Sequence, residues 1–130
     1  MGDRKAKVLI VEDNDTMRKL LAAELTVDGR FEIEQAANGA DGLAMAVSTH
    51  CDVIVLDVFL PDTDGLLFIE ELQHLRSDDP PSVIAMTGAS PQSVPDAVIE
   101  APYRGLVSAV FRKPFDHAKL RDAIAQHSRL

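Results

Sequence analysis

The chain has one cysteine, one tyrosine and no tryptophan. Cys51 cannot close an internal disulfide by itself, so the core must hold the fold; a lone thiol also fits a reducing, cytoplasmic setting. No apolar run approaches the roughly 18–20 residues needed to span a bilayer. The first residues lack the pattern of a secretory leader, so no membrane association is expected. Basic residues are scarce: 13 Lys and Arg stand against 21 Asp and Glu, a formal charge of −8. Direct nucleic-acid binding needs a basic patch, and none is visible. His50, His74, His117 and His127 are scattered without metal-ligand spacing. Internal repeats, low-complexity tracts and linkers are also missing. Residues 1–130 are therefore expected to form one domain, with no output domain visible within them.

What is present is an alternation of short apolar runs with amphipathic stretches. Lys7–Val11 ("KVLIV") predicts a buried strand. Asp15–Asp28 follows as a helix capped by Asp15 or Thr16, with Met17, Leu20, Leu21 and Leu25 at helical spacing. Phe31–Ala36 alternates as an edge strand does. Asn38 caps a helix running to about Ser48. Val53–Asp57 is a third strand. Asp64 caps a helix over Gly65–Arg76, with Phe68, Leu72 and Leu75 as its stripe. Ser82–Thr87 is a fourth strand and Leu106–Phe111 a fifth. Asp116 caps a last helix ending near His127. Such alternation implies right-handed βαβ units, and near-continuous apolar strands imply a parallel sheet covered on both faces. The predicted fold is α/β: a five-stranded, doubly wound parallel sheet. Ligands of such sheets bind beyond the carboxyl ends of the strands.

That rim collects charge. The first strand ends in Glu12–Asp13, the third in Asp57 and the fourth in Thr87, while Lys113 follows the fifth. Taken singly, Glu12–Asp13 could be acids favoured at a helix start. Thr87 could be a β-favouring residue, and Lys113 a solvated lysine before a proline. Asp57 is harder to dismiss as a turn former, because Pro61 and Asp64–Gly65 already supply the turn chemistry. Three carboxylates gathered together repel unless a cation neutralises them, and Lys113 supplies only one charge. Oxygen donors without His or Cys suit Mg²⁺. A carboxylate beside such an ion can attack phosphorus and carry a phosphoryl group as an acyl phosphate. Mg²⁺, Lys113 and Thr87 would then stabilise charge on the transferring group.

The segments "VLIVEDND", "AANGADGLAMA", "DVIVLDVFLPDTDG", "IAMTG" and "FRKPF", in that order, resemble the receiver domain of two-component response regulators. The resemblance covers essentially the whole chain. It implies the flavodoxin-like strand order 2-1-3-4-5 with five helices. It implies that Asp57 is the phosphoacceptor and that Asp13 and Asp57 bind Mg²⁺. Glu12 would act nearby through water, and the backbone carbonyl of Phe59 would be a further ligand. Thr87 would hydrogen-bond the phosphoryl group and Lys113 would pair with it. A peptide bond such as Lys113–Pro114 is often cis in the family. The implied donor is the phosphohistidine of a histidine kinase or phosphotransfer protein. The implied output is a protein target on the face of the fourth helix, fifth strand and fifth helix. The chain would catalyse its own phosphorylation and slow dephosphorylation, and would not be an enzyme acting on a separate substrate.

Departures from the family pattern are specific. Glu12 stands where aspartate is commoner. The stretch from Thr87 to Lys113 is longer than usual and holds Pro91, Pro95 and Pro102. A long loop and a short helix, about Pro95–Ala101, are expected there, since proline is tolerated at a first helical position. Val110 occupies the position of the usual switch aromatic; Phe111 should face the other side of its strand. Phe59 would shade the acyl phosphate from water.

Three other functions compete. A nucleotide-binding domain wants a Gly-rich loop where "EDND" stands. A haloacid-dehalogenase-like phosphatase needs an acid at the position of Phe59. A receiver-like interaction scaffold that works without phosphorylation is favoured by Val110 and the long segment, and opposed by the intact acidic set.

Overall fold

The computed structural model describes residues 5–58, 60–63, 65–88 and 107–128, without the side chain of residue 66. In chain order the elements are β1 (Ala6–Val11), α1 (Asp15–Asp28), β2 (Phe31–Ala36), α2 (Gly39–Ser48), β3 (Val53–Asp57), α3 (Gly65–Leu75), β4 (Ser82–Thr87), β5 (Val107–Arg112) and α4 (His117–His127). All strand pairings are parallel, and the sheet order is β2-β1-β3-β4-β5. This is the predicted order. Four helices lie among the described residues rather than five. The expected helix at Pro95–Ala101, the loop before it, and the positions of Phe59, Asp64 and Leu106 fall outside them.

Two apolar layers sandwich the sheet. Val8, Ile10, Val53, Val55, Ile84 and Met86 pack with Leu21 and Leu25 of α1 and with Leu120 and Ile124 of α4. Leu9, Val11, Ile54 and Leu56, from the opposite face, pack with Ala46 of α2 and with Phe68, Ile69 and Leu72 of α3. Successive strand residues point to opposite faces, so a central strand covered twice must be apolar at every position. β3 is buried along its whole length, and its last residue is Asp57.

Several local expectations need correction. The N-cap of α1 is Asn14, whose side chain accepts from Met17 N at 2.8 Å; neither Asp15 nor Thr16 caps it. Leu20 and Leu75 lie at the edges of their helical stripes and are 49% and 52% exposed. α3 stops at Leu75, and Arg76 turns inward. Its guanidinium donates to the Cys51 carbonyl at 2.7 Å and the Ala46 carbonyl at 3.3 Å. The caps Asn38 and Asp116 stand where the sequence puts them. In β5 a register shift skips Ser108, so Val107 packs on the α2–α3 side while Ala109 and Phe111 pack on the α1–α4 side. An extra residue in a strand reverses the alternation in this way. Phe111 meets Phe115 edge-on at 5.8 Å. Val110, on the opposite face, is 36% exposed.

Candidate functional site

Strand register sets the site. Val11 lies opposite Leu56 across the β1–β3 pair, so Glu12 and Asp57 are the next residues out on neighbouring strands. Asp57 lies opposite Met86 and Thr87 opposite Arg112. Thr87 thus sits at the end of β4, and Lys113 follows β5 directly. Two backbone hydrogen bonds extend the ladder past the strand ends: Val58 N to Met86 O at 3.0 Å and Lys113 N to Thr87 O at 2.7 Å. The Lys113–Pro114 peptide bond is cis.

Oxygens of Glu12, Asp13 and Asp57 all lie within 4.8 Å of one another. Glu12, Asp57 and Thr87 are buried, and Asp13 is exposed at the mouth. The Lys113 ammonium is 2.5 Å from Glu12 Oε1 and 3.4 Å from Asp57 Oδ2. Burial pulls the Lys113 ammonium down in pKa. The hydrogen bond it donates to Glu12 and the charges of Asp57 and Glu12 outweigh it, so the group stands above its ordinary value and stays protonated. Gly88 stands beside the lysine: among the described residues, a Cβ there would touch only Lys113 Cδ, at 3.8 Å.

The donor set fits a hard divalent cation. It offers carboxylate oxygens without nitrogen or sulfur, its negative charge exceeds what one lysine offsets, and one acid faces solvent. Glu12 Oε1 is already engaged by Lys113, and Glu12 Oε2 accepts from Asn14 N at 3.1 Å. Both carboxylate oxygens of Glu12 are thus already hydrogen-bonded. Of the predicted set, Glu12, Asp13, Asp57 and Lys113 meet, and Thr87 ends the adjoining strand; Phe59 lies outside the described residues.

One residue beside the site escaped the sequence reading. Arg18 is buried in α1 and donates from Nη1 to the Glu12 carbonyl at 2.9 Å and from Nη2 to Asp15 at 2.7 Å. It ties α1 to the turn that presents Glu12 and Asp13. The i,i+3 spacing of Asp15 and Arg18 hints at the ion pair, but no pattern signals that the guanidinium reaches inward.

Comparison with known proteins points the same way. The family model described as the response regulator receiver domain matches residues 8–125. The chain is 35% identical over 121 residues to the KDP operon transcriptional regulatory protein KdpE of Escherichia coli, covering 93% of this chain and 52% of that protein. It is 30% identical over 123 residues to protein-glutamate methylesterase/protein-glutamine glutaminase 1 of Caulobacter vibrioides, covering 94% of this chain and 34% of that protein. The chain thus spans about a third to a half of the length of these relatives. Among solved structures, a CheY-like response regulator receiver domain protein from Methanospirillum hungatei superposes with a TM-score of 0.81 at 25% identity, covering 95% of this chain and 93% of that one.

Proposed function

The chain belongs to the response regulator receiver domain family of two-component systems, and from that premise we propose that it is a phosphoacceptor whose acceptor is Asp57. The donor is the phosphohistidine of a histidine kinase or phosphotransfer protein. An Asp57 carboxylate oxygen attacks phosphorus, and the phosphorus–nitrogen bond breaks. The imidazole leaves with the bonding pair and takes a proton from solvent, while Asp57 keeps the phosphoryl group as an acyl phosphate. The observation that carries the reading is the meeting of three carboxylates and one ammonium at the carboxyl ends of adjacent strands.

Each residue has a part. Asp13 and Asp57 would hold Mg²⁺ directly and Glu12 would act through water, with the backbone carbonyl of Phe59 as the further ligand the family resemblance implies. When bound, Mg²⁺ offsets the carboxylate charge that would otherwise repel an incoming phosphoryl group. Lys113 follows the negative charge as it moves from the Asp57 carboxylate to the phosphoryl oxygens. Thr87, at the end of β4, donates its hydroxyl to one of them. Repositioning of these two groups shifts the neighbouring loops and the face that includes β5 and the last helix, where a downstream protein target binds. Val110, 36% exposed on β5, stands where the family carries its switch aromatic, so the readout at this position differs from one carried by a ring. No helix among the described residues is long and apolar enough to cross a membrane, and we place the protein in the cytoplasm with its kinase.

The test is incubation with acetyl phosphate or phosphoramidate and Mg²⁺, followed by intact mass beside an Asp57→Asn control. One phosphoryl adduct that disappears in the control is the expected result. Absence of an adduct in a chain that binds Mg²⁺ would favour an interaction scaffold that works without phosphorylation.

A further inference from the structure

The loop that leaves Asp57 is fastened at its base and at its tip. At the base, Val58 O accepts from Gly65 N at 2.9 Å. A Cβ on Gly65 would lie 2.7 Å from Val58 Cγ1, so the lack of a side chain allows this closure. At the tip, the Asp62 carboxylate accepts from Gly39 N at 2.8 Å and Ala40 N at 3.0 Å. These are the first two residues of α2, whose amides have no partner within the helix. Asn38 caps the same helix locally by accepting from Asp41 N at 2.8 Å. The helix start therefore has its own cap, and Asp62 adds a link across 23 residues of sequence. Gly39 is the seat of that link. A Cβ there would lie 2.2 Å from Thr63 Cγ2 and 3.3 Å from Asp62 Oδ1. The two amides hold the Asp62 carboxyl below its ordinary range, so it is ionised at neutral pH.

We propose that Asp62, seated on Gly39, is a positioning residue for the acceptor site: it clamps the backbone that follows Asp57 to the start of α2. The inference rests on the phosphoacceptor reading. A loop tied at both ends has less conformational freedom to lose when its groups close on a cation or a phosphoryl group. With the tip released, each binding event must first order the loop. Asp62 acts through the backbone and takes no part in the chemistry.

The experiment compares wild type with Asp62→Ala, Asp62→Asn, Gly39→Ala and the double variant Gly39→Ala/Thr63→Ser. Magnesium binding is measured by titration calorimetry and adduct formation from acetyl phosphate by intact mass. Asp62→Ala and Gly39→Ala are expected to weaken magnesium binding and slow adduct formation by about three- to tenfold, the scale of a lost hydrogen bond or two. Asp62→Asn keeps one acceptor oxygen and should fall between wild type and Asp62→Ala, which guards against an alanine variant that fails to fold. Thr63→Ser removes the obstructing Cγ2 and should restore the Gly39→Ala protein. A purely structural role would lower the melting temperature without moving the magnesium affinity of the folded protein. Unchanged affinity and rate in Asp62→Ala, beside a wild type that is phosphorylated, would overturn this inference alone. A wild type that takes no phosphoryl group would overturn the phosphoacceptor reading and this inference with it.

Discussion

Lys113 donates to Glu12 at 2.5 Å and approaches Asp57 only to 3.4 Å. The ammonium thus bonds both acids and sits closer to the one at the end of β1. The bond to Glu12 spans 101 residues of sequence and joins the first strand to the turn after the fifth.

Removing the cation should therefore cost stability. Lys113→Ala takes the ammonium away from Glu12, which is 1% exposed and lies beside Asp57. A loss of about 1–3 kcal/mol is expected without metal, from the uncompensated buried carboxylate. Magnesium should recover part of it and bind more tightly than to wild type, because a competing positive charge is gone. Urea denaturation with and without MgCl₂ checks both halves.

Arg18 makes a second contribution through the Glu12 carbonyl. Arg18→Ala removes a buried charge-assisted hydrogen bond at 2.9 Å. It should destabilise the fold by about 1–3 kcal/mol. Arg18→Lys should recover only part, since one ammonium cannot reproduce a planar fork that reaches Glu12 and Asp15 together. Chemical denaturation of the two variants separates these outcomes.

Cys51 should be chemically silent in the native state. Burial pushes its thiol up to about 11, although the adjacent Arg76 guanidinium works in the other direction. The thiolate is the reactive form. Ellman's reagent at neutral pH should leave the folded protein unlabelled and label one thiol after denaturation. Fast labelling of the native protein would contradict the burial.

Asp62 gives a pH dependence with a definite sign. Its carboxyl is lowered by the amides of Gly39 and Ala40. A depressed folded pKa adds stability that is present above the unfolded value and lost as pH falls through the folded one. The stability difference between wild type and Asp62→Ala should be level above about pH 5 and shrink below about pH 4. Denaturation curves across that range check it; a gap that widens on acidification would refute the sign.

Much of this architecture was legible because local geometry writes it into the chain. A parallel strand covered on both faces must be apolar at every position, so "VLIV" and "VIVLD" announced β1 and β3. Asn38 and Asp116 announced their helices because short polar side chains satisfy the first free amides. The rim of carboxylates followed from the sheet, since parallel strands bring their carboxyl ends to one side. Local rules gave way where neighbours in sequence were equally suited. Asn14, Asp15 and Thr16 can each cap a helix, and the extended backbone at Asn14 selected it. Helical spacing marked Leu20 and Leu75 as apolar without saying that the core stops short of them.

The amino-acid order by itself determined the strands, most of the helices and which acids stand at the strand ends. These depend on periodicity and capping within a few residues. Only the folded molecule decided that Lys113 leans on Glu12, that Arg18 turns inward, that Ser108 bulges, and that Asp62 reaches α2. The Lys113 and Asp62 contacts join distant segments, Arg18 is turned inward where α1 meets the end of β1, and the bulge is a register fixed against a neighbouring strand. All are set by how layers pack against one another, and packing is a property of the whole core that no short window of sequence contains.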